Sequence, residues 1–118
     1  MLIGLSAMSA RNERRIRDAL TYIDNNSVKR LDLNRLANIA GMSKYHFSRK
    51  FRLTVGSSPY QYLLSVRLRR VALRLISTSD PVSFIAWEHG FRDLSTFNGH
   101  FRRAYGASPS IYRRRTSQ

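Results

Sequence analysis

The feature that most restricts the fold of this chain is an internal repeat. One segment reads Leu36-Ala37-x3-Gly41-Met42, then Phe47-x3-Phe51-Arg52-x3-Gly56-x-Ser58-Pro59-x2-Tyr62. A second segment reads Ile85-Ala86-x3-Gly90-Phe91, then Phe97-x3-Phe101-Arg102-x3-Gly106-x-Ser108-Pro109-x2-Tyr112. The offset between the segments is 49 residues through Met42 and Phe91, and 50 residues from Phe47 and Phe97 onward. So many matches at a nearly constant offset indicate two copies of one structural unit, with one residue inserted in the second.

Each copy has the order helix, glycine turn, helix. The small Ala37 and Ala86 allow two helices to approach closely, and the glycine permits a left-handed turn between them. Phenylalanines four residues apart lie on one face of the second helix and attach that face to the core. The pattern therefore predicts two helix-turn-helix units, and in each the outer face of the second helix is free for a ligand.

A pair of packed helical hairpins without a ligand is the alternative, because one such pattern alone is a weak signal. The charge argues against it: 21 Lys+Arg against 7 Asp+Glu give +14 over 118 residues. Residues 33–79 contain nine basic side chains and no acid, and residues 94–118 contain five arginines and no acid. Because charge of one sign repels itself, we expect a polyanionic partner, with double-stranded nucleic acid ahead of an anionic membrane.

Several other functions are not expected from this composition. The chain has no cysteine, which excludes a disulfide scaffold, a thiolate zinc site and a cysteine nucleophile. His46, His89 and His100 fall in separate predicted elements, so no metal site is expected. There is no phosphate-binding loop and no acid/base pair, so we expect neither a cofactor nor an enzyme. The longest apolar stretch, at the N-terminus, is too short to cross a membrane, and we expect a cytoplasmic protein.

The spacing of apolar residues predicts an all-α fold of about seven helices, in which a long linker helix joins the two helix-turn-helix subdomains. Asp32, Ser43 and Asp93 are the predicted N-caps. Gly41, Gly56, Gly90 and Gly106 end the predicted helices. The predicted boundaries are an apolar, poorly ordered leader at 1–10, the first subdomain at 11–57, the linker helix at 58–78, the second subdomain at 79–113 and a basic tail at 114–118. Translation starting at Met8 instead of Met1 is left open.

These residues resemble the DNA-binding domain of the AraC/XylS family of transcription regulators, from about Arg11 to Arg113. The most specific part is the second copy, from Ile85-Ala86 to Tyr112-Arg113. In size the chain is similar to the short MarA/SoxS-type members. The resemblance implies two helix-turn-helix subdomains on one linker helix, and control of transcription, most often activation through contact with RNA polymerase.

The first predicted recognition helix runs from about Ser43 to Leu53. With Phe47 and Phe51 inward, its outer side chains are candidates for DNA contact. Arg49 is the strongest candidate for a base, since a guanidinium can bind guanine in bidentate fashion. Tyr45 and Ser48 are the other candidates for base contact, whereas Ser43, Lys44 and Arg52 are assigned to phosphates. For Ser48, an ordinary polar surface residue is an equally good interpretation.

The second predicted recognition helix runs from about Asp93 to Tyr105. Leu94, Ser95, Thr96 and Asn98 are its candidates for base contact, and Arg102 and Arg103 its candidates for phosphates. Gly99 stands where the first copy has Arg49, and the family usually has a long polar side chain at that position. We therefore expect the second subdomain to contribute mainly phosphate contacts.

The interpretation of the remaining cations and of the lone tryptophan is open. Arginines 67, 69, 70 and 74 lie on the linker helix and either contact phosphates or are solvated. The run Arg113–Arg115 is interpreted as a frayed tail that adds non-specific affinity. Trp87 is interpreted as a half-buried packing residue, with a polymerase contact as the alternative.

We expect a sequence-specific regulator that binds DNA as a monomer. The linker helix is about 28 Å long, which suits two recognition helices about 34 Å apart in successive major grooves. Because the repeat lies within one chain, its site should be asymmetric. The alternatives are a fragment of a longer effector-responsive regulator, a repressor or anti-activator, and a non-specific nucleic-acid-binding protein.

Overall fold

A computed structural model of the chain describes the backbone of residues 2–116 and the side chains of residues 10–116. Within this range the chain forms helices and no strand, which confirms the all-α prediction. The helices are α1 (Leu2–Asn25), α2 (Leu33–Ala40), α3 (Lys44–Val55), α4 (Pro59–Ser77), α5 (Val82–Glu88), α6 (Leu94–Tyr105) and α7 (Pro109–Thr116). None of the helices in this range is long and apolar enough to span a lipid bilayer.

The two ends of the described range differ from the predicted helix bounds. α1 begins at Leu2, whereas the apolar periodicity predicted a start near Arg11. The side chains of residues 1–9 lie outside the described part, so the predicted disorder of the leader stays a prediction. α7 continues through Arg114 and Arg115 to Thr116, although a tail was predicted from residue 114.

The chain forms two compact units that divide within α4. The first unit contains the residues up to Asn26 together with Leu31–Leu63, and the second contains Ser27–Arg30 together with the residues from Leu64 onward. The turn after α1 therefore belongs to the second unit, although it lies within the first predicted subdomain. α4 contributes its first turn to the first unit and the rest of its length to the second.

The core of the first unit is formed by one face of each helix. α1 contributes Ile16 and Ile23, and α3 contributes Phe47 and Phe51, whose side chains are completely buried. α2 contributes Leu36, Ala37 and Ala40 to the same core. Burial of one large apolar side chain stabilises a fold by about 1.5–3 kcal/mol.

The core of the second unit repeats this arrangement. Phe97 and Phe101 of α6 are completely buried, and Ile85 and Ala86 of α5 lie in the same cluster. α4 supplies Leu68, Val71, Ala72 and Leu75. The ring of Phe101 also packs edge-on against Tyr112, with 5.3 Å between ring centroids, and this contact attaches α7 to the core.

Three of the four linker arginines bind groups of the second unit itself. Arg67 Nε donates to Ser27 O at 2.6 Å, and its Nη2 donates to Lys29 O at 2.8 Å. Arg70 Nη1 donates to the Oγ of buried Ser27 at 2.5 Å. Arg74 forms ion pairs with Asp80 at 2.7 Å and Glu88 at 2.5 Å, and the hydrogen bond that it donates to Glu88 is the largest cause raising the pKa of Arg74. These internal partners were not predicted for the three side chains, whereas Arg69 is exposed, and phosphate contact by the linker arginines stays a prediction.

Arg113 also departs from its predicted role in a frayed tail. Its Nε donates to Leu75 O at 3.0 Å and its Nη2 to Thr78 O at 3.3 Å. Both acceptors lie at the C-terminal end of α4, where the last carbonyls of a helix need partners from outside it. Arg113 therefore caps α4 and fastens α7 to it.

Gly90, which follows α5, is enclosed by the contacts of Arg67. Its φ is 96°, and a Cβ there would lie 2.9 Å from Arg67 Cζ and 3.1 Å from the carbonyl oxygen of Val28. Gly106 provides a matched comparison, because its φ is 75° but a Cβ would meet nothing within 4 Å. A residue other than glycine would therefore have a strained backbone at both positions, and at Gly90 its Cβ would also clash with neighbouring atoms.

We expect Gly90→Ala to destabilise the protein clearly more than Gly106→Ala. Left-handed backbone at a non-glycine residue costs about 1–2 kcal/mol, and at Gly90 the clash adds to it. Urea unfolding of the two variants and the parent chain measures the difference. Equal destabilisation by the two substitutions would contradict the contacts described for Gly90.

The half-buried imidazole of His89, whose Nε2 atom is enclosed, predicts a pH dependence of stability. Its Nε2 finds no hydrogen-bond partner among the described residues. Burial, and then the positive charge of Arg74, lower the pKa of His89 from 6.5. The unfolded chain therefore binds a proton near pH 6.5 that the folded chain does not, and stability is lost as the pH falls through this value.

We expect His89→Ala to weaken this pH dependence. Alanine is tolerable there because Ala40 occupies the matching position of the first copy. Thermal melting of both proteins at about pH 7.5 and about pH 5.5 is the measurement, and the variant should lose less stability between them. The same loss in both proteins would contradict the assignment to His89.

Candidate nucleic-acid interface

The orientation of α3 follows from its two buried phenylalanines. Ser43 N-caps the helix, as predicted, and its Oγ accepts a hydrogen bond from the backbone N–H of His46 at 3.1 Å. Phe47 and Phe51 then direct one face into the core of the first unit. Because 3.6 residues make one turn, Arg49 lies at the centre of the opposite face.

The structure brings most of the predicted DNA-contacting residues of α3 to this outer surface. Tyr45, Arg49 and Arg52 follow one another at intervals of four and three residues, and all three are exposed. The side chain of Tyr45 is 77% exposed, which is unusual for an aromatic residue without a partner. Lys44 is exposed at the start of the helix, whereas Ser48 is half-buried on the flank.

Two residues of this surface were missed in the sequence. His46 and Leu53 are exposed on the same side of α3 as Arg49, and Leu53 is 71% exposed. His46 was considered only as a metal ligand, and Leu53 has the side-chain type of a core residue. The angular positions of His46 and Leu53 around the helix, measured from Phe47 and Phe51, predict that both side chains face outward.

The outer face of α6 carries the predicted candidates of the second copy. Its exposed members are Leu94, Ser95, Thr96, Asn98, Arg102 and Arg103. Gly99 lies at the centre of this face, at the place that Arg49 occupies on α3, and a Cβ there would meet nothing within 4 Å. The middle of this surface is therefore bare helix backbone.

The N-terminal end of α6 differs from that of α3 in charge. Asp93 N-caps the helix, as predicted, and accepts from the backbone N–H of Ser95 at 3.2 Å and from the hydroxyl of Thr96. The bond from Thr96 is the main cause lowering the pKa of Asp93. The hydroxyl proton of Thr96 is thus already donated within the protein, and a carboxylate stands where the first copy has the neutral Ser43.

An open cleft of about 420 Å³ adjoins the outer face of α6. It belongs entirely to the second unit, and three helices with the turn before α7 contribute to its walls. Its lining residues are Val82, Ser83, Leu94, Asn98, Gly99, Arg102, Ser108, Pro109 and Ser110. None of them is acidic, so the cleft suits an anionic or neutral ligand.

The lone tryptophan is not half-buried as the sequence suggested. The side chain of Trp87 on α5 is 60% exposed, and that of Phe84 on the same helix is 43% exposed. The two exposed aromatic side chains lie three residues apart on this short helix, and the Phe84 ring centroid is 5.9 Å from Arg74 Cζ.

Residues 36–115 match a family model described as a helix-turn-helix domain. The chain is 32% identical over 99 residues to Right origin-binding protein of Escherichia coli (strain K12), covering 84% of this chain but 34% of that protein. It thus spans about a third of that relative's length. It is 30% identical over 108 residues to Multiple antibiotic resistance protein MarA of the same strain, covering 90% of this chain and 85% of MarA.

Two solved structures have the same fold. The DNA-binding domain of the transcriptional factor AdpA, in complex with a target DNA, matches with a TM-score of 0.78 and 32% identity over 86% of this chain and 91% of that one. An AraC-type transcriptional regulator from Chromobacterium violaceum matches with a TM-score of 0.82 and 25% identity, covering 92% and 97% of the two chains.

Proposed function

This chain belongs to the AraC/XylS family of helix-turn-helix transcription regulators, and from this membership we propose that it binds specific sites in double-stranded DNA and regulates the adjacent genes. The observation that carries the proposal is the outer face of α3. Arg49 stands at its centre, directly opposite two completely buried phenylalanines, between the exposed Tyr45 and Arg52. A rigidly held guanidinium that projects from the middle of a helix is suited to the major groove.

The residues of α3 and its N-cap divide into those that read bases and those that hold phosphates. Arg49 binds a guanine through its O6 and N7, Tyr45 packs against a thymine methyl or a sugar, and Ser48 reaches a base from the flank. Ser43, Lys44 and Arg52 bind phosphates and fix the register of the helix on the duplex.

Arg49→Ala and Lys44→Ala should therefore have different effects. Loss of a bidentate guanine contact costs about 1–3 kcal/mol and relaxes specificity at one position of the site. Loss of a phosphate contact weakens binding to all sequences alike and lowers the salt slope by about 1. Binding-site selection with each protein, followed by titrations at several salt concentrations, measures both effects.

The two variants are matched controls for each other, since each removes one cation from an exposed position of α3. Selected sites that are unchanged for Arg49→Ala would contradict the proposed base contact. A loss of selectivity in Lys44→Ala would contradict its assignment to phosphate.

We propose that α6 contributes less sequence information than α3. Asn98 can bind adenine, and Leu94, Ser95 and Thr96 can contact neighbouring base edges, but Gly99 supplies no side chain at the centre. Arg102 and Arg103 bind phosphates near the end of the helix. In sites selected by the parent chain, we expect the half under α6 to carry clearly less information than the half under α3. Equal information in both halves would contradict this inequality.

We propose binding as a monomer to an asymmetric site, because one chain already carries two different reading helices. We expect α3 to enter one major groove and α6 to meet the duplex at the next groove. Since the ligand is chromosomal DNA, the protein acts in the cytoplasm. Titration of the selected duplex should saturate at one chain per duplex, and saturation at two chains would contradict a monomer.

We propose activation through contact with RNA polymerase, with the exposed aromatic side chains of α5 as the contact surface. Trp87→Ala should then lower transcription in vitro from a promoter that carries the selected site, while DNA affinity stays unchanged. Repression of that promoter by the parent chain would favour the repressor alternative.

A second alternative is that this chain is the DNA-binding part of a longer effector-responsive regulator. The sequence of the gene that encodes the chain tests this alternative.

A further inference from the structure

Gly99 leaves the centre of the outer face of α6 bare, and a second position near it, Ser110, also carries a small residue. The first copy has Arg49 at the position of Gly99 and Tyr60 at the position of Ser110. Both large residues are exposed in the first unit, and the side chain of Tyr60 is 55% exposed. In the second unit both small residues line the cleft of about 420 Å³. In the second copy, small residues at two independent positions thus leave a space open beside α6.

The walls of this cleft suit a sugar–phosphate backbone better than the edge of a base. Ser83 of α5, Ser108 before α7 and Ser110 of α7 line the cleft with side chains that carry hydroxyl groups. Arg102 of α6 adds a positive charge, and Val82 offers an apolar surface of the kind on which a deoxyribose packs. These groups lie on several elements, whereas a base in the major groove is read from one helix.

At Gly99 a ligand can come closer to the backbone of α6 than it could at any residue that has a Cβ. Glycine occurs where a ligand must come close to the protein backbone, because it has no Cβ to hold the ligand away. The local structure of α6 does not explain Gly99: it lies inside a helix, where glycine is unfavourable, and an added Cβ would meet nothing. Close approach of a bound partner is one reason for glycine at such a position.

We propose that Gly99 is a DNA-contacting residue at which the bare backbone of α6 lies against the sugar–phosphate backbone of one strand, and that this strand enters the cleft between Arg102 and Ser110. The proposal rests on the DNA-binding function proposed above. The contact adds affinity from the second unit without sequence information. The carboxylate of Asp93 repels phosphates at the N-terminal end of α6, and the cleft lies on the flank that carries Arg102.

Gly99→Ala tests the proposal because stability and DNA affinity should move in opposite directions. Alanine is the better helix former and its methyl group meets no protein atom, so the melting temperature should rise. The same methyl group should hold the strand away and weaken binding about tenfold, the loss typical of one misplaced contact.

The probe is the duplex selected by the parent chain, used intact and with the half under α6 scrambled. Because the proposed contact is to the strand backbone, the fold-loss from Gly99→Ala should be the same on both duplexes. Affinity within twofold of the parent chain, or tighter binding, would overturn the proposal. A loss confined to the intact duplex would also overturn it, because that result indicates a base contact.

Two further variants complete the experiment. Ala104→Gly changes an exposed residue of α6 about 140° around the helix axis from Gly99, and it should lower the melting temperature without changing DNA affinity. Ser110→Tyr places the residue of the first copy into the cleft and should weaken binding, whereas unchanged binding would overturn the part of the proposal that concerns the cleft. If the parent chain selects no site at all, the proposed function fails, and that result is separate from a failure of the Gly99 contact.

Discussion

The structure depends on one constraint that is applied twice: a pair of phenylalanines, four residues apart, that are completely buried. Phe47 and Phe51 hold α3, and Phe97 and Phe101 hold α6, each against the core of its own unit. Burying four such rings stabilises the fold by several kcal/mol and leaves each recognition helix only one orientation. The identity of every outward-facing residue follows from that orientation, including the placement of Arg49 and of Gly99.

Acidic and basic side chains differ in where their partners lie. Most acidic residues bind groups of the protein itself, and five of the seven have structural partners: Asp24 with Tyr62, Asp32 and Asp93 at helix N-termini, and Asp80 and Glu88 with Arg74. Several arginines of α4 and α7 likewise bind protein groups. Within α3 and α6 the exposed charged side chains include Lys44, Arg49, Arg52, Arg102 and Arg103, and neither helix contains an acid. This separation allows a strongly basic chain to fold without losing its attraction for a polyanion.

Local patterns were sufficient to predict the helices, because caps and apolar spacing act over a few residues. The N-caps Asp32, Ser43 and Asp93 and the C-caps Gly41, Gly56 and Gly106 are confirmed. The contacts of Arg67, Arg70 and Arg113 were not predictable, since their partners lie 35–43 residues away and an arginine in a basic run gives no sign of an internal acceptor. The cleft beside Gly99 also needs coordinates, because three helices meet there. The roles of the individual DNA-contacting residues stay predictions.

We propose that two differently built recognition helices make this basic chain selective for sequence, and a competition titration tests this selectivity most directly. The dissociation constants for the selected duplex and for random DNA of the same length are measured at physiological ionic strength. A preference for the selected duplex of about a thousandfold or more is the result that we predict. A ratio close to one, with strong salt dependence on both duplexes, would contradict the account and indicate that charge alone binds DNA.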